Sequence, residues 1–295
     1  MFNVIEALRS PSIAEMLPGI RKFEIGELLF ASFSCPPSEQ WEASWAEHDR
    51  IVHVLSGRNL LRAAGGTWEI GPGDTIFCKK GACFLRHHGN EAICLFMFFI
   101  PDAFVRTVVR ELARDLPALP PPAETRDMAI RVIDDSGVNA FLQSMSVFFS
   151  DRGTPPELLL KLKLKELIAS IVVSKNNPGL SAYLRQVANA DLPSLPAIME
   201  ANCCHNLSIE AFAKLSGRSL SSFKREFREH FGTAPGRWLL DRRLECSAHL
   251  LTATNMSVTD IVFECGFEQP SHFSRAFKEK FGQTPSDYRE ARAAA

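Results

Sequence analysis

The sequence predicts an α+β protein in two parts: a β-rich N-terminal barrel with flanking helices, and an all-α C-terminal domain with two helix-turn-helix units. Three observations lead to this prediction. Short β-rich runs separated by glycine-containing turns occupy most of the N-terminal third. A unit made of two helices and a turn occurs twice in the C-terminal third. The chain has 295 residues and 46% hydrophobic content, which is enough for two ordinary cores.

The N-terminal third contains seven runs that we predict as strands, because they are rich in β-branched and aromatic residues. These runs are residues 28–33, 51–55, 59–62, 67–70, 75–78, 83–86 and 93–99. Many short strands at this spacing favour a small barrel or a sandwich. The segment from Gly66 to Gly71-Pro72-Gly73-Asp74 resembles the second motif of cupin barrels, so the predicted barrel is cupin-like.

Two helices with an apolar stripe are predicted after the strands, at residues 102–116 and 157–173. The alternation of lysine and leucine from Lys161 to Lys165 is also compatible with a strand. Pro155-Pro156 just before it and the leucines after it favour a helix. The apolar face of this helix leaves two interpretations open, which are dimerisation and packing onto the barrel of the same chain.

The C-terminal repeat has an offset of 50 residues and matches at many positions. Its first copy contains Phe223, Phe227, Phe231, Gly232 and Pro235, and its second contains Phe273, Phe277, Phe281, Gly282 and Pro285. Each copy has a short apolar helix, a turn with glycine, and a second helix with phenylalanines four residues apart. This is the pattern of a helix-turn-helix, whose second helix can enter a DNA major groove.

Capping residues give the bounds of these helices. Ser208, Ser219 and Ser257 are predicted N-caps, and Gly232 ends the second helix because glycine tolerates a positive φ. The predicted first unit has helices at 209–215 and 220–231 around a turn at 216–218, and the second has helices at 258–265 and 269–281 around a turn at 266–268. The two helix-turn-helix units therefore cover about 208–231 and 257–281.

The polar residues opposite the phenylalanines are the predicted DNA-binding residues. They are Ser221, Ser222, Lys224, Arg225 and Arg228 in the first unit, and Gln269, Ser271, His272, Ser274, Arg275 and Lys278 in the second. Arg225 and Arg275 can make bidentate contacts to guanine or to phosphate, and Gln269 and His272 are candidate base readers. The lysines and Arg228 suit phosphates, and the serines suit either target. The alternative for each residue is an ordinary solvated position on an amphipathic helix.

Bulk charge gives little support to DNA binding. The formal net charge is −1, and residues 193–295 contain 13 Lys and Arg against 12 Asp and Glu. DNA binding must therefore depend on local charges, which include Arg237, Arg242 and Arg243 between the two units. We expect modest non-specific affinity that falls steeply with salt.

The second unit resembles a known signature. The runs GFEQPSHFSRAFK at 266–278 and FGQTPSDYR at 281–289, with RLE at 243–245, are similar to the AraC/XylS family of bacterial transcription regulators. The resemblance covers about residues 193–295. It implies a seven-helix DNA-binding domain whose two recognition helices enter successive major grooves on one face of the DNA. Val262 departs from the family pattern, which often has alanine there.

The N-terminal half has a weaker resemblance. The runs HVLSG at 53–57, PGD at 72–74, KKG at 79–81 and KEL at 165–167 are similar to the sensor half of the AraC-family activators that control type III secretion. This resemblance implies control by an anti-activator protein, whereas a small-molecule effector remains an alternative. The expected partners are thus double-stranded DNA, RNA polymerase, one of these two effectors and a second copy of the chain. An activator is expected, with a ligand-responsive repressor as the alternative.

The predicted domain organisation follows from these parts. It comprises a sensor and dimerisation domain at 1–175, a linker at 176–192 and a DNA-binding domain at 193–295. The linker is predicted because turn-forming residues cluster at 176–179 and 191–193, with room for a short helix at 180–188.

Several classes of protein are disfavoured. No nucleophile elbow, P-loop, dinucleotide fingerprint or metalloprotease motif occurs, so no enzyme activity, cofactor or metal is expected. His87 and His88 are adjacent, and adjacent side chains on a strand point to opposite faces. No signal peptide or membrane span is apparent, so the cytoplasm is the expected compartment. The eight cysteines lack a C-x-x-C pair and are interpreted as reduced. Cys203-Cys204 is interpreted as small apolar filler, with redox sensing as the alternative.

Overall fold

The computed structural model describes residues 1–293 except 39, 88–90, 114–115, 117–126, 134–135 and 152. The chain divides into two compact units, Met1–Pro193 and Ser194–Ala295. Each unit has a hydrophobic core of its own.

The described part of the first unit contains two sheets. One has five strands in the order β1-β4-β9-β6-β7, and the other has six in the order β11-β8-β5-β10-β3-β2. The strands are β1 Phe2–Asn3, β2 Arg21–Ile25, β3 Leu28–Cys35, β4 Glu42–Ala46, β5 Asp49–Ser56, β6 Asn59–Ala63, β7 Gly66–Ile70, β8 Thr75–Cys78, β9 Gly81–His87, β10 Ile93–Ile100 and β11 Ala129–Arg131. Every predicted run lies within one of these strands. The strands β1, β2, β4 and β11 were not predicted.

The six-stranded sheet is buried on both faces. On one face, Phe96, Phe98 and Ile100 of β10 join the core formed with the helices. On the other face, Arg50 of β5 donates a hydrogen bond to Sγ of Cys83 in β9 at 2.8 Å, so this face lies against the five-stranded sheet. Burial on both faces explains why β8 and most of β10 consist of buried residues rather than an apolar–polar alternation.

Six helices are described in the first unit. They are α1 Val4–Arg9, α2 Ile13–Met16, α3 Asp102–Glu111, α4 Ser136–Ser150, α5 Glu157–Val173 and α6 Pro178–Asn189. The helix predicted at 102–116 ends earlier, at Glu111. The segment 157–173 is a helix over its whole predicted length, and not a strand. The fold class is confirmed: a β-rich unit with flanking helices precedes an all-helical unit.

Residues 176–192, interpreted above as a linker, consist mostly of α6. Leu180, Leu184 and Ala188 of this helix lie in the core of the first unit. The hydroxyl of Tyr183 donates to the buried carboxylate of Asp49 in β5, at 3.0 Å from each carboxylate oxygen. Helix α6 is thus a packed part of the first unit.

The second unit contains seven helices within residues 194–293. They are α7 Leu195–Asn202, α8 Ile209–Leu215, α9 Leu220–Phe231, α10 Pro235–Ala253, α11 Val258–Glu264, α12 Pro270–Phe281 and α13 Pro285–Ala293. The number agrees with the one implied by the family resemblance. Across the described residues of both units, every helix is too short or too polar to span a membrane.

Candidate DNA-binding surface

The first helix-turn-helix is formed by α8 and α9, and side-chain caps start both helices. The Ser208 hydroxyl accepts the Ala211 N–H at 3.1 Å, and the Ser219 hydroxyl accepts the Ser222 N–H at 3.2 Å. Gly232 has φ +69° and ends α9 in the left-handed conformation. Local capping chemistry therefore determines where these helices begin and end.

The second helix-turn-helix is formed by α11 and α12, and of these two helices α11 alone starts with a side-chain cap. The Ser257 hydroxyl accepts the Asp260 N–H at 3.0 Å, and Gly282 has φ +78° at the end of α12. Helix α12 begins at Pro270 rather than at Gln269, where it was predicted. Gln269 has an extended backbone and is the N-cap residue, and proline is favoured at the first helical position.

The turn of the second helix-turn-helix packs tightly against another segment of the DNA-binding domain. Gly266 has φ +77°, and a Cβ atom placed on it would lie 2.8 Å from the carbonyl oxygen of Cys204. Real Cβ atoms do not approach a backbone oxygen so closely. Glycine is required here for two reasons, its conformation and the space available.

The two helix-turn-helix motifs have matching aromatic clusters at the same 50-residue offset. Phe227 packs edge-on to Trp238 with ring centroids 5.9 Å apart, and Phe277 packs edge-on to Tyr288 at 5.3 Å. Trp238 and Tyr288 were not among the predicted repeat positions, although the offset could have revealed them. These clusters bury one side of α9 and α12 and leave the other side to solvent.

The structure places the predicted DNA-binding residues on the outer sides of α9 and α12, except Gln269, which is the N-cap residue of α12. The exposed ones are Ser221, Lys224, Arg225, Arg228, Gln269, Ser271, His272, Ser274, Arg275 and Lys278. Ser222 is half-buried, and its hydroxyl accepts a hydrogen bond from the Ser219 hydroxyl at 3.1 Å. Ser222 therefore belongs to the cap of α9 as well as to its surface.

Arg225 and Arg275, the equivalent arginines of the two helix-turn-helix motifs, have different surroundings. Arg225 lies 3.9 Å from Glu226 and 4.0 Å from Glu229. At the position equivalent to Glu226, the second helix-turn-helix has Ala276. Within the described part of the chain, Arg275 has no carboxylate within ion-pair distance, so its guanidinium is the more available of the two.

Glu226 also has a structural function. The Arg218 guanidinium in the turn of the first helix-turn-helix donates to Glu226 at 2.7 Å and to the Ser216 carbonyl at 2.7 Å. This links the turn to α9. Glu226 is thus held near the turn rather than free to swing toward phosphate.

The arginines of α10 are mostly engaged within the protein, contrary to their interpretation as local charges for DNA. Arg243 donates to the carbonyls of Cys203 at 2.8 Å, His205 at 2.8 Å and Gly266 at 3.1 Å. Burial lowers the pKa of its guanidinium. Arg242 pairs with Glu200 and Glu245, and Arg237 with Asp241. Arg243 joins α10 to the turn of the second helix-turn-helix, so it stabilises the DNA-binding domain.

No cluster of three or more metal-ligating side chains is found in the described residues. His48 is half-buried, and burial lowers the pKa of its imidazole. His88, the neighbour of His87, lies outside the residues that the structure describes.

Comparison with known proteins adds two matches to family profiles. The family described as a helix-turn-helix domain matches residues 212–291, and the ExsA N-terminal regulatory domain matches residues 49–183. The second match covers strands of both sheets and continues into α6.

Three similar proteins are bacterial regulators. The virulence regulon transcriptional activator VirF of Yersinia enterocolitica is 26% identical over 248 residues, which cover 82% of this chain and 89% of VirF. The HTH-type transcriptional regulator ExsA of Pseudomonas aeruginosa is 26% identical, over 83% of this chain and 87% of ExsA. The HTH-type transcriptional activator RhaS of Enterobacter sp. (strain 638) is 37% identical over 106 residues, or 36% of this chain and 38% of RhaS.

The duplicated helix-turn-helix and the matched regulatory domain define a DNA-binding transcription regulator. The proteins it matches are regulators and not enzymes. The chain is thus similar to AraC-family transcription regulators in both of its units, and the N-terminal resemblance to the type III secretion branch of that family is supported by the ExsA match.

Proposed function

We propose that this protein activates transcription by binding promoter DNA through α9 and α12, under the control of its first unit. The observation that carries the proposal is the repeated pair of helices, each with a buried aromatic side and an exposed polar side. VirF and RhaS, to which the chain is similar, are both named activators. The proposed compartment is the bacterial cytoplasm, where promoters and RNA polymerase, the second proposed partner, are found.

The proposed contacts follow the chemistry of the exposed residues. Arg275 and Arg225 contact guanine or phosphate, and Gln269 and His272 read base edges at the start of α12. Lys224, Arg228 and Lys278 neutralise phosphates, and Ser221, Ser222, Ser271 and Ser274 position the helices. Lys224, Arg228, Arg275 and Lys278 are exposed and form no ion pair with another described residue, which supports the assignment.

The first test compares residues 190–295 with the full chain on genomic DNA fragments across a salt series. We expect sequence-selective binding by the fragment, with an observed affinity that falls linearly with log salt concentration as counterions are released. Weaker binding by the full chain would identify the first unit as inhibitory, and equal binding would move control to a partner. Absence of selective binding by both proteins would contradict the proposed function.

Control by a protein partner is the preferred mechanism, because residues 49–183 match the regulatory domain of ExsA. An anti-activator that binds this region would keep the protein from its promoters. The alternative is a small-molecule effector, with either activation or repression as the outcome. Co-purification of a partner without any ligand response would favour the first mechanism, and a rise in melting temperature with a small molecule would favour the second.

We also propose a homodimer formed through α5. One side of this helix, with Leu160, Leu164 and Leu167, lies in the core of its own unit. Leu158 and Leu162, four residues apart on the other side, remain 68% and 51% exposed. Both interpretations of this helix are therefore compatible with its burial, because packing uses one side and leaves apolar surface on the other.

Replacing Leu158 and Leu162 together by glutamate should shift the protein from dimer to monomer in sedimentation experiments. Burial of a leucine side chain contributes about 1.5–3 kcal/mol, so the dimer dissociation constant should rise at least about tenfold. Ile133→Glu is the control, because Ile133 is equally exposed at 57% but lies outside α5. A wild-type monomer, or an unchanged dimer in the double variant, would contradict the proposed interface.

A further inference from the structure

A fully buried carboxylate joins the last helix of the first unit to its six-stranded sheet. Asp49, the first residue of β5, is 0% exposed. Its carboxylate accepts hydrogen bonds from the Tyr183 hydroxyl of α6, at 3.0 Å to each oxygen, and from the Lys80 backbone N–H at 2.8 Å. These are its two donors among the described residues. A buried carboxylate needs hydrogen bonds to compensate for its lost hydration, so Asp49 depends on Tyr183.

The ring of Tyr183 is also held by the sheet. It packs edge-on against Phe77 of β8, with ring centroids 5.6 Å apart, and the Lys79 ammonium group lies 4.8 Å from its centroid. Strand β8 pairs with β5, so the hydroxyl and the ring of Tyr183 contact neighbouring strands. Replacing tyrosine by phenylalanine would keep the ring and remove the hydrogen bonds to Asp49 alone.

A second carboxylate uses the cation nearest to Asp49. The Lys80 ammonium group forms a salt bridge with Asp102, the first residue of α3, and both side chains are mostly buried. Among the described residues, Asp49 has no ion-pair partner of its own. Burial raises the pKa of the Asp49 carboxyl, and Lys80 and the hydrogen bond from Tyr183 oppose this shift. The Tyr183 hydroxyl is therefore the side-chain donor that stabilises the charge of Asp49.

Helix α6 is the last helix of the first unit, and the chain continues from it into the second unit. Other side chains attach α6 to other parts of the first unit. The Ser181 hydroxyl donates to the Val172 carbonyl of α5 at 2.8 Å, and the Asn177 side chain bonds to both backbone groups of Ile133. Tyr183 attaches α6 to the sheet, so a change in β5 reaches α6 through this residue.

We propose that Asp49 and Tyr183 are positioning residues through which the sheet of the first unit controls α6 and thereby DNA binding by the second unit. In the structure, their hydrogen bond holds α6 against β5. A signal that admits water to Asp49 would replace Tyr183 as the donor to the carboxylate and release α6. The effect on DNA rests on the proposed function, whereas the positioning of α6 does not.

The test compares Tyr183→Phe with Ser181→Ala in the full-length protein. Ser181 is a matched control, because it lies on α6, is 0% exposed and donates one hydroxyl hydrogen bond, but to α5 rather than to the sheet. In Tyr183→Phe, the α6 amides should exchange with solvent about tenfold faster or more, since a hydrogen bond to a charged group is lost. DNA affinity should change at least about fivefold in Tyr183→Phe and stay within about twofold of the wild type in Ser181→Ala.

A double variant separates the positioning of α6 from stability. Tyr183→Phe leaves a buried charge with one donor fewer, and Asp49→Asn removes that charge while keeping an acceptor for the Lys80 N–H. The melting temperature of the double variant should therefore rise above that of Tyr183→Phe. Its DNA affinity should remain that of Tyr183→Phe, because the contact that holds α6 is still missing. Recovery of wild-type affinity together with stability would show that Tyr183 acts on stability alone, and would overturn the proposal.

Two other results would overturn the proposal. One is unchanged amide exchange of α6 in Tyr183→Phe, and the other is an equal change of DNA affinity in Tyr183→Phe and Ser181→Ala. If Tyr183→Phe did not fold, the double variant, which lacks the same contact, would be compared with Ser181→Ala in its place. If the wild type and all variants failed to bind DNA, the proposed function would fail, and amide exchange would still decide whether Tyr183 positions α6.

Discussion

Gly266→Ala should destabilise the DNA-binding unit by about 2–5 kcal/mol. An alanine in the left-handed conformation costs about 1–2 kcal/mol, and forcing a methyl group into a packed site costs about 1–3 kcal/mol more. Both costs apply here, because Gly266 has φ +77° and its Cβ position is 2.8 Å from the Cys204 carbonyl oxygen. That oxygen belongs to the backbone of a segment held by Arg243, so it cannot simply rotate away.

Gly282→Ala is the matched control for this prediction. Gly282 has φ +78°, yet no other atom lies within 4 Å of its Cβ position. Only the conformational cost remains, and we expect a loss of about 1–2 kcal/mol. Urea unfolding of residues 190–295 can be followed through Trp238, the one tryptophan in that stretch of sequence. Equal losses in the two variants would show that the turn adapts and that the contact with Cys204 does not constrain it.

Arg275→Ala should weaken binding to a preferred promoter by about 1–3 kcal/mol and relax sequence preference at one position. Its guanidinium is exposed near the middle of α12 and has no carboxylate within ion-pair distance among the described residues. Such a group can approach DNA without first breaking a contact within the protein. The measurement is a binding titration against the preferred site and single-base variants of it, repeated at several salt concentrations.

Arg225→Ala is the comparison within the same molecule, and its effect should be smaller. Arg225 must leave Glu226 to reach DNA, whereas the equivalent position beside Arg275 is Ala276. Removing Arg275 should also reduce the salt slope by about one unit if it contacts phosphate, and by less if it reads a base. An unchanged affinity, base preference and salt slope for Arg275→Ala would exclude this residue from the DNA contacts.

Local chemistry explains which helices could be predicted. Ser208, Ser219 and Ser257 cap helices through hydrogen bonds to residues only three positions away. Such signals are contained in a few neighbouring letters of the sequence. Helix α4 was missed, although its buried Val138, Leu142 and Met145 have helical spacing. The interaction of Arg225 with Glu229 was also within reach, because residues four positions apart on a helix are neighbours.

Tertiary contacts explain what could not be predicted. Arg243 appeared to be a surface charge, but its three carbonyl partners are between 23 and 40 residues away in the chain. The short strands β1 and β11 consist of two and three residues, too few to show a period.

The packing of α6 limits how a signal can leave the first unit. This helix is capped by Ala190, and α7 starts after Ser194, so Asp191, Leu192 and Pro193 are the only residues between the two caps. A linker of three residues, one of them a proline, has few conformations available to it. A partner or ligand that breaks the hydrogen bond between Tyr183 and Asp49 would therefore act on α6, the helix to which this linker is attached, and would leave the length of the linker unchanged.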